Sequence, residues 1–152
     1  MTIRPIQPMD KTHWLRMRQA LWPDAQPSHE EEIARFFRSE REEPEAVLVV
    51  ELDGQLKGFV ELSIRPYAEG CVTDNVAYLE GWYVDEDVRG QGVGRALVEA
   101  AESWARSKGC REFASDTELD NDVSAQIHER LGFEEVGRIR CFRKSLGSEF
   151  VK

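Results

Sequence analysis

The 152-residue chain is poor in cysteine, with only Cys71, Cys110 and Cys141. An odd number of thiols at no metal-like spacing argues against a disulfide framework or a zinc site, and it suits a reducing compartment. Long hydrophobic runs are also missing. The longest clean one, Ala46 to Val50, is far too short to span a membrane, and Met1 to Trp14 has no apolar stretch behind a basic one. A soluble, cytoplasmic protein is expected. Basic residues are in deficit, 20 against 29 acidic ones, for a net charge of −9. Nucleic-acid binding needs clustered Lys and Arg, so it is not expected; a cationic partner suits the balance, although acidic surfaces also serve solubility alone. No repeat, low-complexity tract or linker divides the chain, and 41% apolar residues suffice for one core, which predicts a single domain over 1–152.

Patterning then places the elements. Thr2 to Ile6 reads as a short strand, and Asp10 stands where an N-cap would open a helix carrying Trp14, Met17, Leu21 and Trp22, ended by Pro23. Ser28 with Glu31 is a capping-box pattern before a second helix with Ile33, Phe36 and Phe37. Ala46 to Leu52 and Leu56 to Arg65 form strand-like runs joined by Asp53-Gly54, a hairpin signal because both residues tolerate positive φ. Val76 to Val84 is another strand, followed by a glycine-rich turn and a helix with Val93, Leu97, Ala100 and Trp104. Arg111 to Ser115 reads as a short strand, Val123 to Leu131 as a short helix, and Ile139 to Arg143 as a final strand. This order predicts an α+β fold with a mixed sheet.

The segment richest in chemistry is Arg89-Gly90-Gln91-Gly92-Val93-Gly94-Arg95, which follows a strand and opens a helix. Glycines let backbone approach a diphosphate closely, and the free N–H groups and dipole of a helix N-terminus favour its charge. A Rossmann loop would need G-x-G-x-x-G after the first strand of a βαβ unit, and a P-loop would need Gly-Lys-Ser/Thr; neither is present. The plain alternative is a glycine turn that merely permits tight strand-to-helix packing.

This loop resembles the signature Q/R-x-x-G-x-G/A of the GNAT superfamily of N-acetyltransferases. The resemblance extends to Asn121-Asp122-Val123-Ser124-Ala125-Gln126-Ile127-His128-Glu129-Arg130-Leu131-Gly132-Phe133. Within that superfamily the chain is similar to the aminoglycoside 6′-N-acetyltransferases, through Leu21-Trp22, Ser63-Ile64-Arg65, Leu79-Glu80-Gly81, Cys110-Arg111-Glu112, Ala114-Ser115-Asp116 and Leu131-Gly132-Phe133-Glu134-Glu135. The resemblance implies a GNAT-like, mainly antiparallel sheet flanked by helices. Acetyl-CoA would lie where two strands splay, with its pyrophosphate on Arg89 to Arg95, its pantetheine arm along the backbone of Trp82, Tyr83 and Val84, and Asn121 opposite. Trp22, Tyr67 and Asp116 match acceptor-contacting positions, and a homodimer is implied.

Acetyl transfer to an amine needs a neutral nucleophile, hence a base, and a donor for the oxyanion, here a strand N–H. Strand alternation sets Val76, Tyr78, Glu80, Trp82 and Val84 on one face, and Glu80 is the expected base, with a simply solvated face as the alternative. Two departures stand out. His128 occupies the position where many members carry a tyrosine that protonates the leaving thiolate, and Gly137 stands where the aminoglycoside subgroup often has a glutamate. Two alternatives keep the glycine loop: acetylation of another amine (a polyamine, amino sugar or peptide amine), or a CoA-binding module without turnover. Retention of Glu80 and Asp116 speaks against the second.

Overall fold

In a computed structural model, residues 1–24, 28–39 and 44–147 are described. The chain runs β1 (Thr2–Pro5), a 3₁₀ turn, α1 (Lys11–Leu21), α2 (His29–Phe37), β2 (Ala46–Leu52), β3 (Gln55–Arg65), β4 (Val76–Val84), a second 3₁₀ turn, α3 (Val93–Ser107), β5 (Phe113–Ser115) and α4 (Asp122–Arg130). The five strands lie in sequence order, antiparallel except for the parallel pair β4 and β5. The α+β fold with a mixed, mainly antiparallel sheet is as the patterning predicts.

Local chemistry explains most boundaries. Asp53 and Gly54, at φ 51° and 78°, turn β2 into β3, and Ser28 Oγ accepts from Glu31 N to cap α2. Asp10 precedes α1, but its carboxylate makes no cap bond. It binds Arg4 at 2.8 and 3.1 Å and accepts from Gln7 N, so it fastens β1 to the first turn instead.

Helices cover both faces of the sheet. Trp14 and Met17 of α1 and Ile33 of α2 pack on Val47, Val49 and Phe59, while Leu97, Val98 and Ala101 of α3 pack on Val50, Val60, Leu62 and Leu79. Full burial of such a side chain is worth about 1.5–3 kcal/mol, so these layers fix which face each strand residue takes.

The expected strand at Ile139 to Arg143 does not form: residues 133–147 carry no helix or strand. Val136, Ile139, Phe142 and Leu146 are 56–91% exposed, so these apolar side chains have no sheet face to cover within this chain. Cys71, Cys110 and Cys141 are free thiols; Cys110 is buried, whereas Cys141 is exposed and contributes to no core.

Candidate active site

The site is organised by an irregularity in β4. Glu61 pairs with Gly81 but Leu62 pairs with Leu79, so Glu80 is an extra residue on its strand. Such a bulge shifts the pleat by one, and every later side chain changes face. The expectation that Glu80, Trp82 and Val84 share a face is therefore wrong. Glu80 stays with Tyr78 on the α1/α2 side, reaching Ser63 and Arg65, whereas Trp82 and Val84 pack with α3. Nor is Glu80 set among apolar side chains. Arg65 donates to both its oxygens, Nε at 2.8 Å and a terminal nitrogen at 2.6 Å, and Ser63 Oγ donates to Oε2.

From Glu80 a polar chain crosses to the edge strand. The Arg65 guanidinium lies 3.6 Å from the Tyr78 ring centroid, and the Tyr78 hydroxyl donates to Asp116 just past β5. Burial and the Asp116 carboxylate hold the Tyr78 phenol well above its usual range, so it stays a donor. Glu80 and Asp116 are thus brought to one surface, with Asp116 itself exposed. Tyr67 is 63% exposed on the loop before β4. Glu112 fixes that loop by accepting from Val72 N, Thr73 N and Thr73 Oγ1. Trp22, half-buried at the end of α1, lays its ring edge on Gly81: a Cβ there would be 2.5 Å from Cη2.

Ser63, Arg65 and Tyr78 join the site without having been expected there. The signal for the first two is a period of two in an apolar strand: Glu61, Ser63 and Arg65 alternate with Val60, Leu62 and Ile64.

The opposite side of β4 is shaped for an extended ligand. β5 pairs only with Ala77 to Leu79, so among the described residues Glu80 to Val84 have no strand neighbour on that edge. The free edge leads to the glycine loop. Gly90 and Gly92 take φ 78° and 83°, and α3 starts at Val93 with no side chain capping it, which leaves first-turn N–H groups available to an anion. Gly94 lies under Trp82, with a built Cβ 3.3 Å from its ring. The Val93 side chain belongs to the core, so only its backbone faces the loop. Arg95 and Gln91 are exposed, and Arg89 folds back to donate from Nε to Val84 O at 2.8 Å. Tyr83 packs on Phe59, leaving its backbone at the edge. Asn121 caps α4, its Oδ1 accepting from Ser124 N.

His128 reaches this side from α4. Nδ1 is 2.8 Å from Ser124 O, which only accepts, so Nδ1 carries the proton and Nε2 faces the Ser115 hydroxyl at 2.8 Å. The ring meets Trp82 edge-on, whose buried Nε1 has no hydrogen-bond partner among the described residues.

An anion cradle beside an open strand edge, with carboxylates on the far face of the same strand, is the layout of an acyl-CoA-dependent transferase. The chain matches the acetyltransferase (GNAT) family over residues 13–133 and belongs to it. An aminoglycoside N(6′)-acetyltransferase type 1 of Klebsiella aerogenes is 55% identical over 146 residues, covering 95% of this chain and 96% of that protein. One from Stenotrophomonas maltophilia is 40% identical over 95% of this chain and 94% of its own length. Among solved structures, the aminoglycoside 6′-N-acetyltransferase of Acinetobacter haemolyticus without ligand has a TM-score of 0.88 at 36% identity, covering 97% of this chain and all of that one. A related acetyltransferase holding a bisubstrate analogue of CoA and acetylneamine has a TM-score of 0.86 at 34% identity, covering 95% and 97%.

Proposed function

We propose that this enzyme transfers the acetyl group of acetyl-CoA to the 6′-amine of aminoglycoside antibiotics by direct attack on the thioester. The observation that carries this reading is the 55% identity to an aminoglycoside N(6′)-acetyltransferase over 95% of the chain. The amine lone pair attacks the carbonyl carbon while a β4 backbone N–H receives the developing oxyanion, and the C–S bond then breaks. Glu80 takes the ammonium proton. Asp116 and the Tyr67 and Trp22 rings receive the sugar and its other ammonium groups. Asn121 and the backbone of Trp82, Tyr83, Val84 and residues 89–95 hold the donor. The departing thiolate is protonated from solvent or, when His128 is an imidazolium, from its Nε2 by way of the Ser115 hydroxyl.

The working form is proposed to be a cytoplasmic homodimer. The exposed Val136, Ile139, Phe142 and Leu146 support the second copy, and three free thiols together with the need for acetyl-CoA support the compartment.

The test is CoA thiol release with matched aminoglycosides bearing an amine or a hydroxyl at the 6′ carbon, with spermidine as control. Release with 6′-amines alone is expected. Turnover only with spermidine would move the assignment to polyamines, and binding of acetyl-CoA with no transfer would leave a CoA-binding module.

A further inference from the structure

The α1/α2 side of the bulge holds charged and aromatic side chains that the transfer step does not use. Glu61 stands opposite Gly81, where the β3–β4 register shifts. It is 3% exposed and meets two groups of α1: Trp14 Nε1 donates to Oε2 at 3.0 Å, and Arg18 Nε lies 3.2 Å from the same oxygen. Arg18, also buried, makes a second ion pair with Glu32 of α2. Its Cζ sits 5.8 Å from the Trp14 ring centroid and 5.2 Å from that of Trp22. Trp22 is gripped from other sides too. His29 Nε2 donates to the Trp22 carbonyl at 2.8 Å, the two rings stack at 22°, and Phe59 meets the indole edge-on.

Buried ion pairs are poor devices for stability alone, since apolar residues of similar volume commonly do as well or better. What this pair adds is direction. Glu61 holds Trp14 and aims the Arg18 guanidinium, and the guanidinium in turn faces the Trp22 ring. That ring fills the space a Cβ would need at Gly81, the residue after Glu80. A tilt of Trp22 is therefore felt at the bulge on the acceptor side, whereas α3 packs on the opposite face of the sheet.

We propose that Glu61, acting through Arg18, is a positioning residue that holds Trp22 against Gly81 and so sets how the acceptor aminoglycoside is received, without acting on acetyl-CoA. The acceptor part rests on the function proposed above.

Glu61→Gln keeps the shape and the acceptor for Trp14 but removes one of the two carboxylates paired with Arg18 among the described residues, leaving only Glu32. The acceptor KM should rise about tenfold with kcat within about twofold and the acetyl-CoA KM unchanged, the pattern of lost acceptor binding. A second readout needs no acceptor. The near-UV circular dichroism band that disappears in Trp22→Leu should weaken in Glu61→Gln, so an error about the acceptor and an error about positioning give different results. Burial pushes the Glu61 carboxyl up to about 7, with Glu32 and Glu80 adding to the rise and Arg18 and the Trp14 donor opposing it. The ratio of acceptor KM between variant and wild type should thus be largest above that pH and shrink below it. Should the single variant fold poorly, Arg18→Met with Glu61→Leu replaces the pair by apolar side chains, and its acceptor KM should stay raised. An unchanged Trp22 band, a KM ratio flat with pH, equal rises in both KM values, or a normal acceptor KM in the double variant overturns the proposal.

Discussion

Gly81→Ala tests the bulge architecture most directly, because the conflict it creates is one of space alone. The new Cβ would lie 2.5 Å from Trp22 Cη2 and 2.9 Å from Cζ2. Carbon atoms rest at about 3.5–4.0 Å, so ring and strand must part by about 1 Å. The indole cannot swing away freely, since His29 stacks on one side and Phe59 meets its edge. Overpacking of this kind costs about 1–3 kcal/mol. At about 2–4 °C per kcal/mol for a chain of this size, the melting temperature should fall by roughly 2–12 °C. Differential scanning calorimetry reads the first effect, and steady-state kinetics should show the acceptor KM rising while that of acetyl-CoA holds. Removing the ring should relieve the strain, so Trp22→Leu in the Gly81→Ala background should recover part of the lost stability but not the acceptor KM. A Gly81→Ala protein with unchanged melting temperature and acceptor KM would refute the placement of Trp22.

Four further outcomes are expected. Glu80→Gln should lower kcat by about 10²-fold, the lower range for loss of a general base, with the acetyl-CoA KM unchanged in thiol-release assays. Gly92→Ala meets open space but forces an L side chain to φ 83°, which costs about 1–2 kcal/mol, and a raised acetyl-CoA KM should accompany the lower urea midpoint. The Arg4 hydrogen bond holds the Asp10 carboxyl below its ordinary value, so its stabilisation is complete above about pH 4 and is lost as pH falls through the lower folded pKa; Asp10→Asn should cost about 1–3 kcal/mol at pH 7, a difference that closes in urea titrations as the pH is lowered through that range. Ile139→Asp with Phe142→Asp changes two exposed residues, so sedimentation should shift from the proposed dimer to monomer without loss of helix signal; a dimer left unaltered would move the interface elsewhere, and a monomeric wild type would overturn the dimer itself.

The fold was legible wherever a residue acts on its own backbone. Asp53-Gly54 announced the hairpin, Ser28 the start of α2, and Gly92 the junction with α3, because each effect is settled within a few residues. Asp10 marked the N-cap position of α1 correctly but not the partner of its carboxylate, for the opposite reason. Its side chain went to Arg4 from another element, and no local pattern distinguishes that partner from an N–H of the coming helix turn. The same holds for 139–143, whose strand-like composition gives no sign of whether a sheet edge within the chain will accept it.

The site divides along the same line. The glycine loop is a local device and could be placed from its residues, but the face taken by each side chain of β4 depends on a bulge that only the β3–β4 register reveals. Alternation counted through Glu80 carries Trp82 and Val84 to the wrong side. The neighbouring strand held the corrective. Glu61, Ser63 and Arg65 form a polar row facing the α1/α2 layer, and a row of polar side chains inside an otherwise apolar strand must find partners or lose stability. Two of the three found Glu80, and the third found Trp14 and Arg18. Glu80 is thus held by the strand beside its own, and polar periodicity on adjacent strands, taken together, marks the face it occupies.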